Sequence, residues 1–519
     1  MRRASQYLCL LALALFFLSS GGRGIGKPFT RGADVAGWTA SMAGNIRADL
    51  SPLPPITGGT DVRGDGSSPA EFDHPEATPR WHQSPLPYYL TRGAFMWFGP
   101  SEFVTRLIAL LFSLASGLLL YGLLLDIWNR ETALLGLFAY WASPPVVVFA
   151  MSNNHIVLSL ATTVLAIWLW IRSFDRRGKG WLVGALATSV LAMWTYWHAY
   201  FLPLVFAQAE FRHRSGPGRK LRCLIWGVLP AASFATFLLA YHFVNPDGPR
   251  ELVETVLERS GASGAVWNPI GTLEFLAEYM RGLYGNPFIF LVVAYLGLLF
   301  ARWTVLTPVQ ETTLLALGLC PLLYWMSMAR IASLEPMLNI LLAAQLLAVC
   351  FARGTLDILR SRQRALLAPL VFLLAVQVWD NSDKWQLGLY NIYNEEGHMV
   401  ALRLHELTRP GDVIFEDGHE IGPGRLMYYA PQRAIIKLPN YPAPPAIHPA
   451  DYIDSTLKHF SEKRRVLLVT TTPRTLEVVT IQAFNARNLC IIKIETYSAW
   501  SIYAVARKHT GPEGAGCPP

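Results

Sequence analysis

The chain has 519 residues, of which 52% are hydrophobic and only 15% charged, where an ordinary soluble domain carries about 25% charged residues. Long apolar runs joined by short charged links cannot be packed into a soluble interior, so a wholly soluble enzyme is excluded. The formal charge of +8 collects in those short links, which reports membrane orientation and argues against a nucleic-acid partner.

In chain order, an apolar run at 7–19 follows Arg2 and Arg3 and precedes SSGGRG. That pattern fits a signal peptide or a first membrane helix, and the spans that follow favour the retained anchor. Further apolar runs fall near 103–125, 133–150, 155–172, 181–195, 196–209, 223–243, 285–301, 312–329, 334–351 and 365–379. About eleven spans result. The run 181–209 is long for one helix and short for two, so ten is the other count.

Charge supplies a second check. Arg2 and Arg3, the four basic residues of 172–180, the five of 210–222 and the four arginines of 352–364 alternate as cytoplasmic links should. The segments 23–102, 244–284 and the tail from about 380 then lie outside, on the periplasmic or extracellular side of a cytoplasmic (inner) membrane. In that tail, helix is expected to end over Leu402–Leu407, with strands at 413–415, 433–438, 466–470 and 490–495. The expected organisation is a transmembrane region over 1–379, an external α/β domain over 380–510 and a disordered end over 511–519. The cysteines at 9, 223, 320, 350, 490 and 517 have no metal spacing, and a Cys490–Cys517 disulfide is left open.

The first outer segment concentrates the candidate chemistry. RGADVAGWTASMAGNI at 31–46 carries one acid, Asp34, and 71–99 is rich in proline and aromatic residues around Tyr88 and Tyr89. Asp34, Asp73, His74, Arg80, His82 and Arg92 all fall near the expected membrane surface. His155 opens an apolar helix at its outer end, where Asn153 or Asn154 would serve as N-cap. Arg330 and Glu335 flank the outer end of a later span, where charge near hydrocarbon marks function or snorkelling. There is no Walker A sequence, no GxGxxG after a strand and no HExxH, so pumping driven by ATP is unsupported.

The order of these features resembles the GT-C superfamily of membrane glycosyltransferases, in particular the group of protein O-mannosyltransferases, lipid A aminoarabinose transferase and RgtA/B/C/D-like proteins. Asp34 with Ala43, Asn45 and Ile46 looks like the family's block after the first helix. His82, Pro85, Leu86, Tyr88, Tyr89 and Leu90 match a later block, in which Gln83 and Ser84 depart from the pattern. Phe98, Gly99, Ser101, Glu102 and Arg106 match the next one, and Arg330, Glu335 and Pro336 echo a late segment. Where many relatives carry a second acid, this chain has Met151, Asn153, Asn154 and His155. Where a lysine is common, it has Thr195, Tyr196 and Trp197.

The resemblance implies a mainly α, polytopic GT-C fold with a large first external loop and a small external α/β domain. It implies transfer of a monosaccharide from a polyprenyl-phosphate carrier, among membrane lipid, to a glycan, lipid or protein hydroxyl. Asp34 is the expected base. Arg80, His82, Tyr88, Arg92 and Arg330 are expected to hold donor phosphate or substrate, with Asp73, His74, His155 and Glu335 lining the site. No cofactor is implied with any definition, and a divalent metal is left open. A secondary transporter and a non-catalytic membrane protein of envelope polysaccharide assembly are the other readings.

Overall fold

The computed structural model describes residues 2–22, 25, 56–57, 78–79, 86–176, 179–216, 218–244, 248–260, 268–285, 306–329, 332, 336–360, 395–409, 412–417, 434–437, 465–471, 489–497, 500–507, 509–511 and 514–516, with helical positions at 289, 292, 293 and 296. The chain divides into two compact units. One comprises Met1–Ile25, Trp81–Leu90 and Thr105–Asn391; the other comprises Gly26–Arg80, Thr91–Val104 and Ile392–Pro519.

The helices are α1 (Arg2–Gly21), α2 (Leu86–Phe98), α3 (Glu102–Ile127), α4 (Arg130–Trp141), α5 (Pro144–Val148), α6 (His155–Arg176), α7 (Lys179–Met193) and α8 (Leu202–His213). After them come α9 (Arg219–Val244), α10 (Gly248–Ser260), α11 (Pro269–Tyr284), α12 (Pro308–Ser327), α13 (Pro336–Ile340), α14 (Ala344–Arg360) and α15 (Glu395–Leu407). Among the described residues, four stretches are long and apolar enough to cross a membrane: Glu102–Ile127, His155–Phe174, Arg219–Ala240 and Leu338–Asp357. Gln6–Gly21 and Lys179–Met193 are shorter apolar helices.

Two of the expected runs are broken for local reasons. The run 133–150 divides at Ser143, which is extended (φ −68°, ψ 128°) because it precedes the Pro144–Pro145 pair that opens α5. The run 181–209 is two helices, α7 and α8, joined through a 3-10 turn at Trp197–Phe201. Between α2 and α3, Gly99 takes φ +77°, and the Ser101 hydroxyl then accepts the Val104 N–H at 3.2 Å to cap α3.

Inside the first unit, large aromatic side chains fill the spaces between helices. Trp170 stacks on Phe206 with ring centroids 5.0 Å apart, and Phe206 meets Trp226 edge-on. Trp141 of α4 is wholly buried and stacks on Phe17 of α1 at 5.2 Å. It fits only because residue 117 of α3 is glycine: a Cβ there would come within 2.5 Å of the indole Cε2. A buried polar triad is threaded through this packing. Gln345 donates to the Ser116 hydroxyl at 2.9 Å and the Leu160 carbonyl at 3.1 Å, and Ser116 pairs with the Tyr140 hydroxyl at 3.0 Å.

One end of the bundle gathers the basic links. Arg172 pairs with Asp126, which also accepts the Trp168 indole N–H at 2.6 Å. Fully buried Glu210 takes Arg214 at 2.9 Å and Arg222 at 2.7 Å, and Arg222 continues to the Ser173 hydroxyl. Glu311 takes Arg212 at 2.6 Å and His213 at 3.2 Å. Gln310 beside it donates to the Ile127 carbonyl. Arg172, Arg212, Arg214 and Arg222 thus lie on helix ends tied to one another, as the alternation of charge requires.

In the second unit, Ile56–Thr57 (β1) pairs antiparallel with Thr78–Pro79 (β2). The C-terminal part is a five-stranded sheet of β3 (Val413–Asp417), β4 (Ala434–Lys437), β5 (Val466–Thr471), β6 (Leu489–Tyr497) and β7 (Trp500–Arg507), in the order β4-β3-β5-β7-β6. The first three strands in this order are parallel; β5–β7 and β7–β6 are antiparallel. Val400, Ala401 and Leu404 of α15 bury one sheet face made of Ile414, Leu467, Val469, Trp500 and Ile502. The four expected strands are present, and β7 is additional. At the start of the segment expected to be disordered, His509–Gly511 (β8) pairs with Gly514–Gly516 (β9), of which Gly511 and Gly514–Gly516 fall within it; Cys517 and the side chain of Cys490 lie outside the described residues.

Candidate functional site

At the end of the bundle opposite the basic links, four segments of the first unit converge. α1 finishes so close to the α5–α6 link that a Cβ on Gly21 would stand 2.9 Å from that of Ala150. The Ser113 hydroxyl of α3 donates to the Ala150 carbonyl at 3.1 Å. Asn153 is fully buried and donates through Nδ2 to the Thr105 carbonyl at 3.0 Å. Arg106, one turn into α3 and only 4% exposed, places Nη1 3.5 Å from the carbonyl of Ile25. The chain that leads toward Asp34 therefore leaves α1 beside a buried guanidinium.

Helix α6 begins in the same place. The Asn154 side chain accepts the Val157 N–H at 2.9 Å and donates to the Ser152 hydroxyl at 3.0 Å, so Asn154 is the N-cap and Asn153 is freed for the contact with α3. His155, the first helical residue, is buried, and the Tyr88 ring meets it edge-on at 5.3 Å and 75°. The helix start directs its positive dipole end to this region. Arg106, Asn153, His155 and the helix end together form a surround of hydrogen-bond donors suited to an anion.

Of the residues singled out in the sequence, Tyr88 and His155 are brought together here. Arg92 lies in α2, and its Nε is buried without a hydrogen-bond partner among the described residues. Asp34, Asp73, His74, Arg80, His82, Arg330 and Glu335 lie outside the described residues. Beside Tyr88, burial pushes the Tyr89 phenol up to about 12, so that hydroxyl keeps its proton through the neutral range. Among the described residues no group of three or more His, Cys, Asp and Glu side chains is placed to hold a metal.

Several polar contacts near this end were not singled out in the sequence. The Ser143 and Tyr284 hydroxyls pair at 3.0 Å, and burial pushes the Tyr284 phenol upward. The Tyr196 and Tyr324 hydroxyls pair at 2.6 Å, while His198 is buried with Nε2 at 3.3 Å from the Thr163 hydroxyl. Their sequence signal is a polar residue interrupting an apolar run, which marks depth in the membrane without naming a partner.

Comparison with known proteins supplies the frame for this arrangement. Residues 73–239 match the family described as dolichyl-phosphate-mannose-protein mannosyltransferase. No curated protein sequence matches. Among solved structures, ArnT from Cupriavidus metallidurans bound to undecaprenyl phosphate is 12% identical; the match covers 96% of this chain and 97% of that one, with a TM-score of 0.65. The oligosaccharyltransferase AglB from Archaeoglobus fulgidus, in complex with an inhibitory peptide and a dolichol-phosphate, is 12% identical, covered over 97% of this chain and 74% of that one, with a TM-score of 0.58. At that identity the likeness is one of fold. The resemblance to the GT-C membrane glycosyltransferases, carried in the sequence by four short blocks, thus extends to the architecture of nearly the whole chain.

Proposed function

We propose that this protein is an inverting glycosyltransferase that moves a monosaccharide from a polyprenyl-phosphate carrier to a hydroxyl acceptor. It works as a multi-pass protein of about eleven spans, with its site on the external side of a cytoplasmic membrane. The observation that carries this reading is the surround of buried donors, Arg106, Asn153 and His155 with Tyr88, at the end of the bundle where α1 delivers the chain toward Asp34. ArnT, which shares the fold over its full length, was solved with undecaprenyl phosphate bound.

In the proposed reaction, Asp34 accepts the proton of an acceptor hydroxyl as its oxygen attacks the anomeric carbon. The bond from that carbon to the phosphate oxygen breaks on the opposite side, and polyprenyl phosphate leaves as an anion. Charge grows on the leaving phosphate, so donors fixed in advance lower the barrier more than they tighten ground-state binding. Arg80, His82, Arg92 and Arg330 are proposed to meet that phosphate, with Arg106 added by its burial. Tyr88, Asp73, His74, His155 and Glu335 are proposed to line the site.

The test is transfer from a synthetic undecaprenyl-phosphate hexose by purified protein. Asp34→Asn is expected to lower kcat by about 10²-fold or more while donor binding is retained. A mutant that transfers at the normal rate would remove Asp34 from the mechanism.

A further inference from the structure

The end of the first unit that gathers the basic links holds more cations than its acids answer. The links 172–180 and 210–222 carry four and five basic residues against two acids, Glu210 and Asp175, the latter's side chain outside the described residues. Arg172 takes Asp126, Arg214 and Arg222 take Glu210, and Arg212 and His213 take Glu311. Lys179, Arg219 and Lys220 form no ion pair among the described residues.

Their placement sharpens the imbalance. Lys179 is the first residue of α7, and Arg219 and Lys220 are the first two of α9; neither helix has an acid in its first turn. A helix start carries the positive end of the dipole, so a cation is repelled where an anion would be held. From the same turn of α9, Arg222 reaches Ser173 near the end of α6, the helix that hands the chain to α7, so α7 and α9 start at one end of the bundle. Lys179 and Lys220 are exposed, and the Arg219 guanidinium lies 4.6 Å from the centroid of the exposed Phe211 ring. Just beyond the cations the exposed surface turns apolar, with Trp181 and Val183 on α7 and Leu221, Leu224 and Val228 on α9. Helix α9 is the least buried of the four stretches long enough to cross a membrane. Its outward side chains therefore meet hydrocarbon, and the three cations mark the level of the headgroups at this end.

We propose that this rim is a binding surface for anionic phospholipid. Phosphodiester oxygens meet Lys179, Arg219 and Lys220, and the acyl chains lie along Leu221, Leu224 and Val228. A headgroup of net negative charge, as in a phosphatidylglycerol, answers both the unpaired cations and the helix starts, whereas a zwitterionic one brings a cation of its own to the same place. The apolar strip that continues from the cations favours a lipid phosphate over a soluble one. The surface lies at the opposite end of the bundle from the donors around Arg106, and its test reads binding alone.

The full-length protein in a neutral detergent is titrated with dioleoylphosphatidylglycerol and dioleoylphosphatidylcholine, and bound lipid is counted by native mass spectrometry. A cation beside an anionic headgroup contributes about fivefold in affinity, so the wild type is expected to prefer phosphatidylglycerol by at least about tenfold. In Lys179→Gln/Arg219→Gln/Lys220→Gln that preference should fall at least about fivefold. Arg250→Gln, which removes an exposed cation of α10, should leave it unchanged, and so should inorganic phosphate compared with chloride at equal ionic strength. Equal affinity of the wild type for the two lipids, an unchanged preference in the triple variant, or an equal fall in Arg250→Gln overturns the proposal; displacement of the lipid by inorganic phosphate overturns the lipid as the source of the anion. Should the triple variant fail to give monodisperse protein, Lys179→Gln/Lys220→Gln, which keeps Arg219 on Phe211, carries the comparison.

Discussion

Replacing Gly117 by alanine strikes the contact that seats α1 in the bundle. The added Cβ would lie 2.5 Å from Cε2 and 2.9 Å from Cζ2 of Trp141, with Nε1 also in its way. Ordinary contact begins near 3.4 Å, so the indole must retreat by about 1 Å in a close-packed interior. Trp141 is wholly buried, and Phe17 stacks on it at 5.2 Å, so the displacement is passed to α1. Overpacking of this kind costs about 1–3 kcal/mol, and the better helix propensity of alanine returns up to about 1 kcal/mol. A net loss of roughly 1–2 kcal/mol remains, an expected fall of about 1–2 °C in the apparent midpoint of thermal unfolding of a chain this long. Fluorescence-detected size exclusion after heating reads it. In a Trp141→Phe background, where the distal indole atoms are gone, the same substitution should cost little, giving a coupling of about 1 kcal/mol between the sites. An unchanged midpoint for Gly117→Ala, or equal effects in both backgrounds, would refute the argument.

Other outcomes follow from the charged residues. Arg330→Ala is expected to raise the dissociation constant for the polyprenyl-phosphate sugar about 10- to 100-fold, the worth of a charge-assisted contact; an unchanged constant in intact protein would assign that arginine to membrane positioning. Glu210→Gln leaves Arg214 and Arg222 facing a neutral side chain in a buried place, so a loss of about 3–5 kcal/mol is expected. Asp357→Asn, whose carboxylate is 36% exposed against Arg353, should cost about 1 kcal/mol or less by the same unfolding assay. In a cysteine-free background, a membrane-impermeant reagent applied outside the cell should label a cysteine placed within 58–69 and miss one within 214–219. The reverse pattern would invert the topology.

Where the fold was legible, a physical constraint acted on composition. The basic residues of 172–180 and 210–222 could be assigned to one side because charges must avoid hydrocarbon, and Arg172, Arg212, Arg214 and Arg222 do meet at one end. The four blocks of family resemblance located Tyr88 and Arg106 but not their surroundings. Asn153 and Asn154 were equal candidates for an N-cap, since either amide can serve; only the packing of α3 separates them. The ambiguity of 181–209 was real in the sequence, because the break at Trp197–Phe201 contains no glycine or proline to announce it. β7 was missed although WSIYAVAR alternates, because the Tyr497–Trp500 link is too short to separate it from β6 by composition. Partners such as Ser116, Tyr140 and Gln345 are 24 and 229 residues apart along the chain, a distance no local pattern spans.

The ion pairs at the basic end also prescribe an order of events during biogenesis. Asp126 must wait for Arg172, 46 residues later, before its charge is met, whereas Glu210 finds Arg214 and Arg222 within the next 12. Arg212 waits longest, since its partner Glu311 emerges 99 residues behind it. A nascent chain halted between α9 and α12 would thus hold two carboxylates, Asp126 and Glu210, already neutralised and one arginine, Arg212, still seeking its mate.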